Sequence, residues 1–249
     1  MQLRSALVTG AGRRIGREIA IALAQGGADV VLHAHTSSGD ETRRAVQQHG
    51  RRAWVIRGDL SSRRNVQRIA REALEKTGKI DILINNAAVF FPTPVSALTA
   101  QEWYTFRQTN ISAPFFLSVL IGRQMYQQGQ GKIIFLGDWS GRRPSRNFLP
   151  YCVSKAGVSA LTQALAKAFA PHVQVNEVAP GPVLLPEDYG PEQQEELRTR
   201  TPLQRFGSPY DIARTVRFLV ESGDFVTGAS YVVDGGWLAQ GHDGSGTSL

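Results

Sequence analysis

The chain has 249 residues, 42% of them apolar and 20% charged, with a formal charge of +7 that is mostly arginine, five lysines and a single cysteine, Cys152. That length suits one large α/β domain burying roughly three quarters of its unfolded surface, and one cysteine excludes an intrachain disulfide framework or a cysteine-based zinc site, so a reducing, cytoplasmic location is expected. No apolar run approaches bilayer length, and no aromatic-interleaved basic stretch or helix-turn-helix pattern accompanies the charge, so neither a membrane nor a nucleic-acid partner is expected and the arginines are assigned to a solvated surface.

The first twenty residues, "MQLRSALVTGAGRRIGREIA", lead into a strand and a turn with no cleavage pattern of a signal peptide. From there, short β-branched or aliphatic runs alternate with helical patterns. The strand candidates are "ALVTG", "ADVVLHAH", "AWVIRGD", "IDILINNA", "KIIFLG", "VQVNEVAP" and "SYVVDGG". Between them lie the helical stretches "RRIGREIAIALAQGG", closed by Gly26 and Gly27, then "RNVQRIAREALEKTG", "AQEWYTFRQTNISAPFFLSVLIGRQMYQQG" and "PYCVSKAGVSALTQALAKAFAP". Seven strands interleaved with helices predict a single doubly wound parallel sheet with helices on both faces. The last two helical stretches are apolar on more than one face, which predicts a homo-oligomer. Residues 1–240 form one domain in this reading, 184–209 a loosely held lid over a pocket, and the Gly/Ser-rich 241–249 a flexible tail.

"ALVTGAGRRIGREIA" places a glycine-rich turn between a strand and a helix, the context in which backbone amides take a pyrophosphate. Its Gly10, Gly12 and Gly16 resemble the TGxxxGxG of the short-chain dehydrogenase/reductase family, a Rossmann-type fold, with Arg14 where that family usually has its middle glycine. Arg13 and Arg14 oppose the macrodipole of the helix they open, a conflict that an anionic ligand removes. The second strand ends in His35, Thr36, Ser37 and Ser38 rather than in the acid that binds the ribose diol of NAD, so NADP(H) is the expected cofactor. His33 and His35 share a strand face, but no third ligand accompanies them and no metal is expected. Asp59 and Leu60 after the third strand, and the Asn85 to Ala88 run that includes Asn86 and Ala87, fall where the family contacts adenine and carries its NNAG motif. The resemblance adds Ile15, Pro180, Gly181 and Val183 to the cofactor-binding set.

In "YCVSK", Tyr151 and Lys155 lie one helical turn apart on one face. They match the family's Tyr-Lys pair, and Asn110 its helix asparagine. The resemblance implies that Lys155 binds the nicotinamide ribose and lowers the pKa of Tyr151, which exchanges a proton with substrate. The family's serine, thirteen residues before the tyrosine, is here Asp138. A carboxylate there repels the alkoxide developing in ketone reduction but suits a C=N bond, whose nitrogen needs a proton, and it holds Tyr151 protonated. The plainer alternative is that Asp138 only caps a turn toward Ser140 or Gly141.

Asp138, Arg14 and the "FFPTP" run after the asparagine motif together resemble the pteridine and dihydromonapterin reductases within that family. The resemblance implies a homotetramer that reduces a pterin or dihydropterin with NADPH, stacks the ring on Phe90, holds its edge with Arg14 and protonates it from Tyr151. Ala88 and Val89 depart from the two serines of the best-known pteridine reductases, and Thr36 from an arginine at the NADP phosphate. Other substrates in this reading are a ketone, a quinone or a cyclic imine, and a non-catalytic NADP-binding regulator is the remaining class.

Overall fold

All seven expected runs form strands, and each is short, aliphatic and closed by a polar or glycine residue at its C-terminal end. A computed structural model describes residues 4–184 and 189–239. The strands are β1 (Arg4–Val8), β2 (Ala28–Ala34), β3 (Ala53–Arg57), β4 (Ile82–Asn85), β5 (Gly131–Leu136), β6 (Val173–Pro180) and β7 (Ser230–Val233). They pair in parallel in the order β3-β2-β1-β4-β5-β6-β7. The chain runs outward from β1 to β3, then crosses back to lay β4 on the other side of β1. That reversal opens a crevice beyond the C-terminal ends of β1 and β4.

The helices are α1 (Arg14–Gln25), α2 (Asp40–Gln48), α3 (Arg63–Thr77), α4 (Ala100–Phe106), α5 (Ala113–Gln127), α6 (Leu149–Phe169), α7 (Pro191–Arg200) and α8 (Pro209–Glu221). Two apolar layers flank the sheet. One joins Ile19 and Leu23 of α1 and Ile212, Val216 and Leu219 of α8 to Val8, Leu32 and Ile134. The other joins Ile69 of α3, Leu117 and Ile121 of α5 and Val158 and Leu165 of α6 to Leu7, Leu83 and Ile133. Because both faces are covered, β2 is buried along its whole length, and the polar Asp29 within it is paired with Arg51 and Arg52 at 2.6 and 2.8 Å.

Three elements differ from expectation. The stretch expected as one helix, residues 100–129, is α4 and α5 joined by a π turn at Arg107–Ser112. Pro114 has no N–H to offer the carbonyl of Asn110, so a regular α-helical ladder is interrupted there. The segment expected as a loose lid contains α7, with Glu195–Arg198 and Glu196–Arg200 pairs along it. Finally, α2 carries little apolar periodicity, since only Thr42 and Val46 are buried, and it is absent from the expected helices. Residues 185–188 of the expected lid and the expected tail 241–249 lie outside the described residues. Among the described residues, no helix is long and apolar enough to cross a membrane.

Candidate active site

The glycine-rich turn is laced to the end of β4 by side chains. Thr9 Oγ1 donates to the Ile84 carbonyl and accepts from the amides of Asn86 and Ala87 at 2.9 and 3.0 Å, while Asn86 Nδ2 donates to the carbonyls of Thr9 and Gly10. Any Cβ at Gly16 would meet the Gly10 carbonyl oxygen at 2.3 Å, so only glycine lets α1 start this close to β1. Arg14 takes a left-handed φ of +54°, the conformation for which a glycine is usual, and so carries a backbone cost at the mouth of the crevice. Arg13 is the N-cap of α1 but its side chain makes no capping bond, and no acid occupies the first turn. This helix end therefore presents free amides and guanidinium charge toward an anion.

His33 holds the same turn from the other side: Nδ1 accepts from the Gly10 amide at 3.2 Å and Nε2 donates to the Gly58 carbonyl at 2.9 Å. Burial pushes its pKa down, so the ring is neutral with its proton on Nε2. With both nitrogens engaged it is a structural histidine, not half of a metal pair. Both oxygens of Asp59 accept from Ser61, from its hydroxyl at 2.6 Å and its amide at 2.8 Å, and those bonds pull its pKa down.

At the other end of the crevice, Asp138 does two things at once. Oδ1 accepts from the Ser140 amide at 2.8 Å, capping the turn Trp139–Gly141, and Oδ2 accepts from the Tyr151 hydroxyl at 3.1 Å. The turn-capping reading and the catalytic reading thus describe different oxygens of one carboxylate. Burial first, and the Asp138 charge second, push the Tyr151 pKa well above 10, so the phenol is a protonated donor. That direction is the one expected from Asp138; Lys155 Nζ donates to the Leu136 carbonyl at 2.8 Å and lies 5.5 Å from the Tyr151 ring centroid. Burial pulls the lysine itself down, while the charges of Asp138 and Glu177 oppose that.

Asn110 does not reach the crevice. Its Oδ1 accepts from the Val89 amide, and its Nδ2 donates to the Val89 carbonyl and to Ser154 Oγ, so it ties the π turn to the loop after β4 and to α6. Phe90, half exposed, is stacked face to face on Phe148 at 4.7 Å between centroids and stands edge-on to Tyr151 at 4.8 Å. Trp139 meets Trp237 edge-on at 5.6 Å.

These groups surround one open cleft of about 930 Å³, within the usual range for a ligand site. Apart from Asn110, it is bordered by every site residue expected from the sequence: Gly10, Arg13, Arg14, Ile15, Gly16, His35, Thr36, Ser37, Asp59, Leu60, Asn86, Ala87, Phe90, Asp138, Tyr151, Lys155, Pro180, Gly181 and Val183. Sequence reasoning passed over Thr9, His33 in its structural role, Phe148, Tyr189, Leu197 and Trp237. Thr9 carried a usable signal, a hydroxyl at the tip of a buried strand beside the glycines; the others are brought in from distant turns.

The chain matches the family model described as enoyl-(acyl carrier protein) reductase over residues 10–238. It is 32% identical over 244 residues to a short-chain dehydrogenase/reductase of Hericium erinaceus, covering 94% of this chain and 97% of that protein. The chain belongs to the short-chain dehydrogenase/reductase family. Another similar member is the 2-dehydro-3-deoxy-D-gluconate 5-dehydrogenase of Bacillus subtilis (strain 168), 35% identical over 243 residues and covering 95% of each chain. A solved structure of 7α-hydroxysteroid dehydrogenase with NADH and 7-oxo glycochenodeoxycholic acid superimposes with a TM-score of 0.90 at 32% identity, covering 94% of this chain and 93% of that one. This short-chain dehydrogenase/reductase is therefore an oxidoreductase that uses a nicotinamide cofactor.

Proposed function

We propose that the protein is an NADPH-dependent reductase of a C=N bond in a pterin or dihydropterin. The observation that carries this reading is the 3.1 Å bond from the Tyr151 hydroxyl to Asp138 Oδ2. A carboxylate beside the proton donor disfavours the developing alkoxide of ketone reduction, tolerates positive character on a ring nitrogen, and keeps the phenol protonated until it is needed.

The cradle at Gly10 to Gly16, with free amides at the start of α1, fits the pyrophosphate of a dinucleotide, and Arg13, His35, Thr36 and Ser37, which line the same cleft, fit a 2′-phosphate better than a ribose diol. When bound, that cofactor supplies the hydride. The chain's own groups do the rest. Lys155 offers its ammonium to the ribose side of the cleft, Arg14 takes the oxygen and nitrogen edge of the heterocycle, and Phe90 lies against its face. Tyr151 donates its proton to the ring nitrogen, oriented by the Asp138 oxygen that accepts from it. Asn110 fixes the loop carrying Phe90 relative to α6. The 184–209 segment, through Leu184, Tyr189 and Leu197 on the cleft wall, covers the ring and excludes water.

A second reading, reduction of a ketone, quinone or cyclic imine, is favoured by the names of the relatives, which include a structure holding a 7-oxo compound. Purified protein with NADPH and dihydrobiopterin, followed by loss of nicotinamide absorbance, separates the two. Pterin turnover that falls in Phe90→Ala and Asp138→Ser supports the first reading. Turnover of simple ketones without pterin turnover overturns it.

A homotetramer is part of the same proposal. Phe116 and Tyr126 on α5 and Val153 on α6 are apolar and exposed, which suits coverage by a second copy. Light scattering that returns the monomer mass of 27.2 kDa would refute it.

A further inference from the structure

Glu177 is the most buried carboxylate in the vicinity of the reaction centre, and nothing in the chemistry above uses it. It lies in β6, 1% exposed, between Phe135 of β5 and Ser230 of β7 in the sheet register. Both of its oxygens accept from Ser159 Oγ, at 3.0 and 2.8 Å. Among the described residues its ion pair is a long one: Arg142 Nη2 stands 3.8 Å away and spends a closer bond, 2.6 Å, on Ser230 Oγ. A buried carboxylate held by one hydroxyl and one long ion pair is undercompensated, so its place needs a reason.

Two contacts supply it. A Cβ on Gly137 would come within 1.8 Å of Glu177 Oε1, so the carboxylate occupies the space left under the tip of β5 by the missing side chain. Gly137 stands between Leu136, whose carbonyl accepts from Lys155 Nζ, and Asp138, whose carboxylate accepts from Tyr151. Ser159, which grips Glu177, is one helical turn beyond Lys155 on the same face of α6. Glu177 is thus seated between the tip of β5 and α6, against the two segments that carry Asp138 and Lys155.

We infer that Glu177 is a positioning residue for Lys155: its carboxylate, seated under Gly137 and held by Ser159, is a second counter-charge, beside Asp138, that keeps the buried ammonium cationic. The charged and titratable groups about Lys155 are Asp138 just past β5, Glu177 on β6 and Tyr151 on its own helix, with Arg142 drawing on Glu177 and Arg14 lining the same cleft. Burial alone acts against the cation, and Asp138 is already engaged by Tyr151 and the Ser140 amide, so the second carboxylate is the reserve charge. The inference rests on Tyr151 and Lys155 acting together, and not on which substrate they serve.

The chain has only five lysines, so protein carrying ¹³C-labelled lysine gives five side-chain signals, and the one missing in Lys155→Arg is assigned to Lys155. In Glu177→Gln, its titration moves to lower pH than in wild type. In Ser159→Ala, which removes the hydroxyl but keeps the charge, it moves much less. Should Glu177→Gln fail to fold by circular dichroism, Glu177→Asp, which keeps the charge on a shorter side chain, is expected to titrate close to wild type. Coincident titrations of wild type and Glu177→Gln, an equal displacement in Ser159→Ala, or a Glu177→Asp titration well below wild type overturn the proposal. With NADPH and dihydrobiopterin, Glu177→Gln also loses about tenfold more kcat/KM than wild type between neutral and alkaline pH, as a group whose ionisation has moved by one pH unit would. If wild type turns over no pterin, the substrate reading fails while the lysine titration still judges Glu177.

Discussion

Replacing Asp138 by Asn isolates the charge from the turn it caps. The amide oxygen can keep the place of Oδ1 and accept from the Ser140 amide, while the amide nitrogen takes the place of Oδ2 opposite the Tyr151 hydroxyl. A unit charge 3.1 Å from a phenolate, at an effective dielectric constant of about 20, opposes its formation by about 5 kcal/mol. Solvent in the open cleft leaves a fraction of that, and the new amide donor stabilises the phenolate further, so both changes act in one direction. Asp138→Asn should therefore deprotonate Tyr151 at a proton activity about tenfold higher or more than wild type requires. The assay needs no substrate: phenolate ultraviolet absorbance is titrated in each protein, and the same titration in the matching Tyr151→Phe variant is subtracted to leave the Tyr151 contribution. Identical Tyr151 titrations with and without the Asp138 charge would refute the electrostatic argument, and with it the ground for preferring C=N over C=O reduction.

Arg14→Gly removes the left-handed cost of a side chain at φ +54° and should stabilise the fold by about 0.5–1 kcal/mol in urea denaturation, while raising KM for dihydrobiopterin; an unstable variant would mean that the arginine's own contacts outweigh its strain. Thr36→Asp places an acid at the tip of β2 and should lower the preference for NADPH over NADH by about tenfold or more in kcat/KM, whereas an unchanged ratio would move the 2′-phosphate elsewhere. His33 has a folded pKa below the ordinary value of about 6.5, so its contribution to stability is complete above that pH and is lost as pH falls toward the lowered value, because there the unfolded chain binds a proton that the folded chain refuses. The urea midpoint of wild type should accordingly fall more between neutral and mildly acidic pH than that of His33→Gln.

The strands were legible because most are largely aliphatic runs followed by a polar group that the sheet delivers to its C-terminal edge: Thr9, His35, Asp59, Asn86 and Asp138 all stand within two residues of a strand's end. A parallel sheet turns that linear spacing into a shared rim, so the cleft residues could be read one strand at a time. What could not be read depends on two distant segments meeting. Nothing near Gly137 in the chain announces that Glu177 needs its missing side chain, and nothing near Phe90 announces Phe148. The π turn escaped notice because Pro114 falls at a position where a helix start would also tolerate it, and apolar periodicity runs through it without a gap. For Asp138 the turn cap and the contact to Tyr151 are compatible, since a carboxylate has two oxygens and spacing cannot say that they meet different groups.

The stack of Phe90 on Phe148 also belongs to a seam: the Thr93 amide donates to the Asn147 carbonyl at 2.7 Å, and Thr93 and Phe148 form an isolated parallel bridge. Two loops far apart in the chain are therefore stitched into one plate, and that plate runs directly into the first turn of α6, which carries Tyr151. The wall that carries Phe90 and the helical turn that carries Tyr151 are mechanically one piece. A graft of residues 88–99 from another reductase, made to import its specificity, would bring an aromatic face with no matching seam and would tilt the proton donor along with the wall. Transplanting 88–99 together with 142–148 is the smallest exchange that keeps the two in register.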